Sequence, residues 1–444
     1  MNSQWFINFL RNYSFLFIFF VIQVKINAGS YGDIYGAHPA TYGMGNAVTA
    51  TINNAAAPIY NIAGLGKLSE AEKILAYQEG KPRPSRIIHE FYSHYTVSKP
   101  RLTTSAPPSQ DLSKTRDDYI GLGLAMNLNG IYNLERNIKF GVNIQAPGTG
   151  NLLTINDVNP TTHRYLQYGV ANQKPTIMGG LGVEIIEEML YVGVGFNAMA
   201  SGNGAILMKD VPISPDRVVP NQQAILEVKP LITPIYGIQL EIGPFLAGAS
   251  YRREVAMSVD SLQARAQTTL LGIQLDFDMA LLDLYTPRVW SYGIGFKPMD
   301  ELLIAVVVSR ELWSAYKLSR TKKTYSETFW LNDITSYRAG VEYKISEMLK
   351  VRAGYSKKPS AVPNSPGEMN WMDFDKLVAT GGASLTISPE MISGLRNPVI
   401  IDFAIGYQKL HGRHVFKYIA TDKNPNYSSG GNVWYGGISF TFFM

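Results

Sequence analysis

The chain has 444 residues, a mean hydropathy of -0.03, no cysteine and a formal net charge of +5. These values rule out disulfides and a lipid-modified cysteine, do not call for a bundle of membrane helices, and come without the basic cluster of a nucleic-acid binder. Gly (40) and Tyr (26) are abundant, which suits a sheet-rich membrane protein with interfacial tyrosine girdles.

Residues 1–28 have the layout of a secretory signal peptide: Arg11, the apolar run Phe15 to Val21, then the small residue Ala28. The run is too short to span a bilayer, and Lys25 and Asn27 interrupt it; the competing reading is a retained anchor. Without this leader, which carries two basic residues and no acid, the charge is about +3. An exported chain without disulfides needs another source of rigidity, and a closed hydrogen-bonded barrel in lipid supplies one.

Residues 29–66 show no strand pattern. Small residues dominate: Tyr42-Gly43-Met44-Gly45-Asn46-Ala47, Thr49-Ala50, Asn53-Asn54-Ala55-Ala56-Ala57, and Tyr60-Asn61-Ile62-Ala63-Gly64-Leu65. Such a segment suits a compact fold inside a lumen, with residues 67–444 forming the barrel.

From Tyr119 onward the chain alternates with period two. Ile120, Leu122, Leu124, Met126 and Leu128 share one parity against Gly121, Gly123, Ala125 and Asn127. The pattern returns at 140–145, 190–197, 290–296, 399–407 and 434–444. A soluble sandwich alternates too. Strands of about ten residues, polar faces of Gly, Asn and charges, and connections alternating between short and long favour an outer-membrane barrel.

Short connections, read as periplasmic turns, fall at Asn127 to Asn137, Glu187-Glu188, Gly243-Pro244, Pro298 to Asp300, Ser346, and Ser388 to Asn397. Long ones, read as extracellular loops, fall near 147–174, 201–231, 312–333, 358–376 and 409–432. One further strand belongs within 73–97. The count reaches about fourteen, an even number, if 257–287 is one long extracellular loop. That loop is apolar (Leu270, Leu271, Ile273, Leu275, Phe277, Leu281, Leu282), as a binding surface would be; the competing reading makes it a strand.

The small-residue segment and the C-terminal third (Pro287 to Lys297, Leu312-Trp313-Ser314, Trp330, Tyr337 to Tyr343, Val351 to Tyr355) resemble the FadL/TodX family of outer-membrane transporters for fatty acids and aromatic hydrocarbons. The resemblance implies an all-β transmembrane antiparallel barrel of about fourteen strands, plugged by an N-terminal hatch. It implies gating by Gly43, Gly45, Asn46, Asn61, Ile62, Ala63 and Gly64, substrate capture between the loops after the fifth and seventh strands (201–231 and 257–287), and exit through a gap in the wall. Where the family's Asn-Pro-Ala motif has proline, this chain has Ile62; losing a residue that fixes φ is expected to loosen that turn. The chain ends in Met444, where such barrels commonly end in an aromatic residue.

Parity places Arg338, Glu342, Lys350 and Arg352 on the lumen face, because Lys or Arg toward lipid costs about 2–4 kcal/mol near the midplane. Two readings stand: Arg338 or Arg352 steers a carboxylate, or both pair with Glu342 and brace the wall. No catalytic residue, metal or cofactor is expected. Gly64-Leu65-Gly66-Lys67 lacks the rest of a phosphate loop, His89-Glu90 with His94 is one residue too long for the zinc-protease motif, His411 and His414 have no carboxylate beside them, and no Gly-x-Ser-x-Gly elbow occurs. The expected function is facilitated diffusion of hydrophobic small molecules across a bacterial outer membrane. The expected protein is a monomer, inserted by the barrel-assembly machinery, surrounded by outer-membrane lipid and free of nucleic acid. A surface adhesin is the alternative, favoured by Lys317, Lys322, Lys323, Lys357 and Lys358 in the long loops. A hydrophilic-solute porin is the third reading, and a plug argues against it.

Overall fold

The alternating segments become fourteen antiparallel barrel strands in the computed structural model, which describes residues 31–444 apart from 107–116, 130–135, 149–162, 169–175, 210–220, 259–261, 268–273, 280–282, 317–329, 365–368, 393–394 and 418–425. They are β1 (Glu90–Thr104), β2 (Asp117–Asn127), β3 (Ile138–Pro147), β4 (Thr176–Ile186), β5 (Leu190–Lys209), β6 (Asn221–Ile242) and β7 (Phe245–Arg252). The rest are β8 (Arg288–Met299), β9 (Leu302–Leu312), β10 (Ile334–Lys344), β11 (Leu349–Lys358), β12 (Lys376–Ile387), β13 (Val399–Val415) and β14 (Tyr427–Phe443). Each pairs with its neighbours in sequence, and β1 pairs with β14 from Glu90↔Phe443 to Thr104↔Ser429, closing the sheet. Closure leaves no edge among these strands, so their backbone groups find partners without water, as hydrocarbon requires.

Burial follows the alternation. On β8, Trp290, Tyr292, Ile294 and Phe296 are 38–65% exposed on the outer face, while Gly293 and Gly295 point inward. Outer aromatics also pair across strands: the Tyr251 and Trp290 rings lie 4.4 Å apart, Tyr407 and Trp434 4.7 Å, and toward the other end Phe245 and Phe296 5.1 Å. These two levels bracket an apolar band, the outside of a barrel in lipid. No described helix is long and apolar enough to cross a membrane.

One expectation needs correction and another needs detail. The connection 201–231 is mostly strand: β5 and β6 stay paired from Leu190↔Leu240 out to Lys209↔Asn221, far past the length that spans a bilayer. Backbone pairing continues there although Ser201 to Lys209 has lost the period-two pattern. The stretch 257–287 adds no barrel strand, as the long-loop reading has it, but it carries local strand pairing. Leu262–Gln267 and Gln274–Met279 form a hairpin that pairs in parallel with the outer part of β5, and Val255–Ser258 pairs with Asp283–Thr286.

Residues 31–79 form short helices joined by turns: α1 (Tyr31–Ile34), α2 (Pro39–Gly43), α3 (Ala57–Tyr60), a 3-10 turn (Ile62–Gly66) and α4 (Glu70–Glu79). The compact segment therefore runs beyond residue 66. Ser69 and Glu72 form a reciprocal capping box at the start of α4, and Gly80, at φ +63°, ends it.

Candidate functional site

The helical segment touches the inner face of most of the wall. Asp33 pairs with Arg252 on β7 (2.7 Å), the Ile34 carbonyl accepts from Gln408 on β13 (2.9 Å), and the Ala37 carbonyl from Gln145 on β3 (3.2 Å). Thr49 O accepts from Gln239 on β6 (3.0 Å), and Ala55 N donates to Glu90 on β1 (2.9 Å). A segment with partners on so many strands lies within the lumen.

Glycines let it approach. A Cβ on Gly354 of β11 would collide with the Gly45 amide, one on Gly340 of β10 with the Met44 carbonyl, and Gly43 lies against Gly382 of β12. The turn at Gly45 (φ +64°) and Asn46 (φ +59°) is left-handed and is fixed by Tyr60, whose hydroxyl donates to Asn46 Oδ1 at 2.7 Å. On the far side Asn61, Ile62, Ala63 and Gly64 are buried. Asn61 Oδ1 accepts from Ala63 N (3.2 Å), while its Nδ2 donates to Thr49 O (2.8 Å) and to Ile238 O on β6 (3.0 Å). The Asn61 side chain holds the turn, and Ile62 seats on Gly180 of β4 and Gly193 and Gly195 of β5.

This hatch separates two chambers. The extracellular one, open to solvent, is bordered by Gly45, Asn46 and Tyr60 of the hatch and by Arg252, Arg338 and Lys358 of the wall. The periplasmic one is bordered by Thr41, Met44 and Ile52 of the hatch and by Glu342, Lys350, Arg352 and Asp402. Between them, along β10 to β12, lies the Gly43–Asn46 turn.

The four charges singled out by parity separate here. Glu342 pairs with Arg352 (2.6 Å), which also reaches Asp402 on β13 (3.2 Å). Lys350 pairs with Glu70 of α4 (2.5 Å). Arg338 does not pair with Glu342: it sits at the other chamber and donates to Ser309 Oγ at 2.7 Å. Their separation along the strand decides this, because Glu342 lies opposite Arg352 in the β10–β11 register and Arg338 opposite Ser356.

Sequence reasoning missed the ion pairs that anchor the hatch. Glu72 meets Lys139 of β3 (2.5 Å) with both side chains buried, Lys67 meets Glu241 of β6, and Arg83 grips Glu184 of β4 (2.8 Å). Burial alone would raise the Glu70 carboxyl, yet Lys350 and Lys73 hold it down at about 2; burial lowers Lys67 to about 8 despite Glu241. The single signal for these partners was an unexplained lumen-parity charge on each strand.

The apolar groove falls largely outside the described residues: Leu270, Leu271, Ile273, Leu281 and Leu282 lie beyond them, and Leu275 and Phe277 lie in the Gln274–Met279 strand. Apolar residues do gather elsewhere at the extracellular end, where Trp313, Tyr316, Leu331, Val362, Met369 and Trp371 form a buried cluster. The loops near 312–333 and 358–376, singled out in the sequence for their lysines, thus contain a packed cap.

Residues 237–429 match the family described as outer membrane protein transport protein (OMPP1/FadL/TodX). No curated protein matches the chain. Among solved structures the chain is similar to a Pseudomonas aeruginosa FadL homologue (12% identity, 92% of this chain and 97% of that one, TM-score 0.55). It is similar to the P. putida toluene transporter TodX (12%, 92% and 99%, 0.53) and to the monoaromatic hydrocarbon channel CymD (14%, 94% and 99%, 0.50). The fold is FadL-like, and with its lipid-facing exterior the chain is a bacterial outer-membrane β-barrel.

Proposed function

We propose that this FadL-like barrel is a passive transporter of hydrophobic small molecules, such as long-chain fatty acids or aromatic hydrocarbons, gated by its N-terminal hatch. One observation carries the reading: a closed, lipid-facing barrel holds its own N-terminal segment across the lumen, with a chamber on either side. The matched family of transport proteins supports it and is in keeping with a non-enzymatic role. The hairpin β5–β6 and the stretch 257–287 are the proposed capture groove. Each methylene buried there gains about 0.8 kcal/mol, enough to concentrate a long tail with few polar contacts. Gly43, Gly45 and Asn46 are the proposed moving part, and Asn61 to Gly64 the fixed part. The protein acts as a monomer in outer-membrane lipid, inserted by the barrel-assembly machinery. No observation favours the adhesin alternative, and the hatch opposes free diffusion of hydrophilic solutes.

The test is uptake of a radiolabelled long-chain fatty acid into proteoliposomes. Uptake faster than in protein-free vesicles is expected, with higher single-channel conductance after deletion of residues 29–66. Equal rates with and without correctly inserted protein would overturn the proposal.

A further inference from the structure

Basic residues on the outer wall differ between two sectors of the extracellular rim. Across β7 to β9 they are matched by acids: Arg288 meets Glu254 (2.6 Å), Arg253 lies 3.9 Å from the same carboxylate, and Arg310 meets Asp333 (3.5 Å). Across β11 to β14 and β1 they are not. Lys99 and Arg101 of β1, Lys357 of β11 and Lys409 of β13 are exposed and make no ion pair among the described residues. The acids of this sector are engaged otherwise: Asp118 accepts from the Tyr95 hydroxyl (2.6 Å) and Asp375 from the Ser360 amide (2.7 Å).

Parity turns these four side chains outward. Lys99 and Arg101 share a face with exposed Tyr95, Lys357 with Tyr355, and Lys409 with Phe403 and Ile405. Register gathers them. Arg101↔Asn432, Asn432↔Lys409, Lys409↔Leu377 and Leu377↔Lys357 are successive pairings, so a cation stands on every second strand, about 10 Å from the next. Lys99 lies opposite Trp434, and Lys409 and Lys357 follow the outer tyrosines Tyr407 and Tyr355 by two residues toward the extracellular end. Outer aromatics of this kind mark the level of the lipid head groups. Unmatched cations at that depth face the charged layer of the leaflet, where hydrogen bonds from Arg and Lys to ionised phosphate are among the strong ones.

We propose that this face, from β11 through β14 to β1, binds an outer-leaflet lipid by its anionic phosphate head group. Arg101 and Lys409 reach the phosphate from either side of Asn432, and Lys99 and Lys357 extend the site along the wall. The acyl chains lie below, on the exposed Phe403, Ile405 and Phe440. The site is on the outside of the barrel and is independent of the transport reading.

The test places the full-length protein in phosphatidylcholine vesicles doped with brominated phosphatidic acid or, for comparison, brominated phosphatidylcholine. Bromine quenches tryptophan on contact. Trp290→Phe leaves Trp434 to report this face, Trp434→Phe leaves Trp290 to report the matched sector, and the double variant gives the background of the other tryptophans. Trp434 is expected to favour the phosphatidic acid about fivefold at equal doping, the effect of roughly one unmatched cation, and Trp290 to show no preference. Arg101→Gln with Lys409→Gln, in the Trp290→Phe protein, should abolish the preference while quenching by brominated phosphatidylcholine persists. Strand content and heat-dependent gel migration verify that each variant is folded. No preference at Trp434, an equal preference at both tryptophans, or its survival in the double-glutamine variant would overturn the site and leave the transport reading standing.

Discussion

His38 sits in the hatch, 2% exposed, with Nδ1 accepting from Ala40 N (3.2 Å) and Nε2 without a hydrogen bond. It faces Asp402 of β13 at 4.0 Å, Arg352 of β11, and the rings of Tyr92 and His94 on β1. Burial lowers it to about 4, with Asp402 pulling upward and Arg352 downward. The docked value is below the 6.5 of a released hatch, so the released state binds more protons between these limits. Docking is then fully favoured above pH 6.5 and weakens as pH falls toward 4. Open probability in planar bilayers should rise over that window, and His38→Gln should flatten the rise. Glu70, held at about 2, adds its own loss only below 4.5. None of this was legible in the sequence, where His38 is an isolated histidine before a proline. Its charged partners, Arg352 and Asp402, are more than 300 positions away, and no local pattern announces them. Asn46 and Asn61, by contrast, were singled out as gating positions in a glycine-rich run, although their hydrogen-bond partners Tyr60 and Ile238 were not.

α4 is held through its first turn as well as by the packing of Ala71 and Leu75 on Ile88 and Phe443. Its capping box orders the first turn, and Glu72, itself part of the box, also takes Lys139 (2.5 Å). Lys139→Ala leaves a buried carboxylate without its cation, which costs about 3–5 kcal/mol. Hydrogen exchange of 69–79 should accelerate by orders of magnitude while the strands β5 to β9 keep their protection; unchanged exchange would show that the pair does not anchor the helix. The helix was absent from the sequence reading because only Leu75 and the alanines mark an apolar face. The strands were far more readable, since lipid on one side and a lumen on the other force strict alternation on each strand. Where that two-sided environment ends, as beyond Ala198 on β5, alternation ends too while pairing persists. Strand length was therefore underestimated at the outer rim.

At the scale of the whole molecule the count of fourteen was legible because short and long connections must alternate when every strand crosses the bilayer. The counting placed the stretch 257–287 after the seventh strand, and the structure has it there. Orientation in lipid is testable through tryptophan. Trp290 and Trp434 are 41% and 52% exposed on the outer wall, whereas Trp313 and Trp371 are 8% and 2% exposed in the extracellular cap. Brominated phospholipids should quench the first pair and spare the second, so Trp290→Phe with Trp434→Phe should remove most of the quenching. Retained quenching in that double variant would place the bilayer elsewhere.

The seam between β1 and β14 has a consequence for how the protein is made. Tyr42 lies against Gly437 on one side of it, and Ala55 is bonded to Glu90 on the other. The cork thus touches both lips of the bottle, through a tyrosine hydroxyl on one and a backbone amide on the other. A cork cut that close is fitted while the glass is still being blown: the curling ribbon wraps around it, and the last stitch is sewn over an occupied interior.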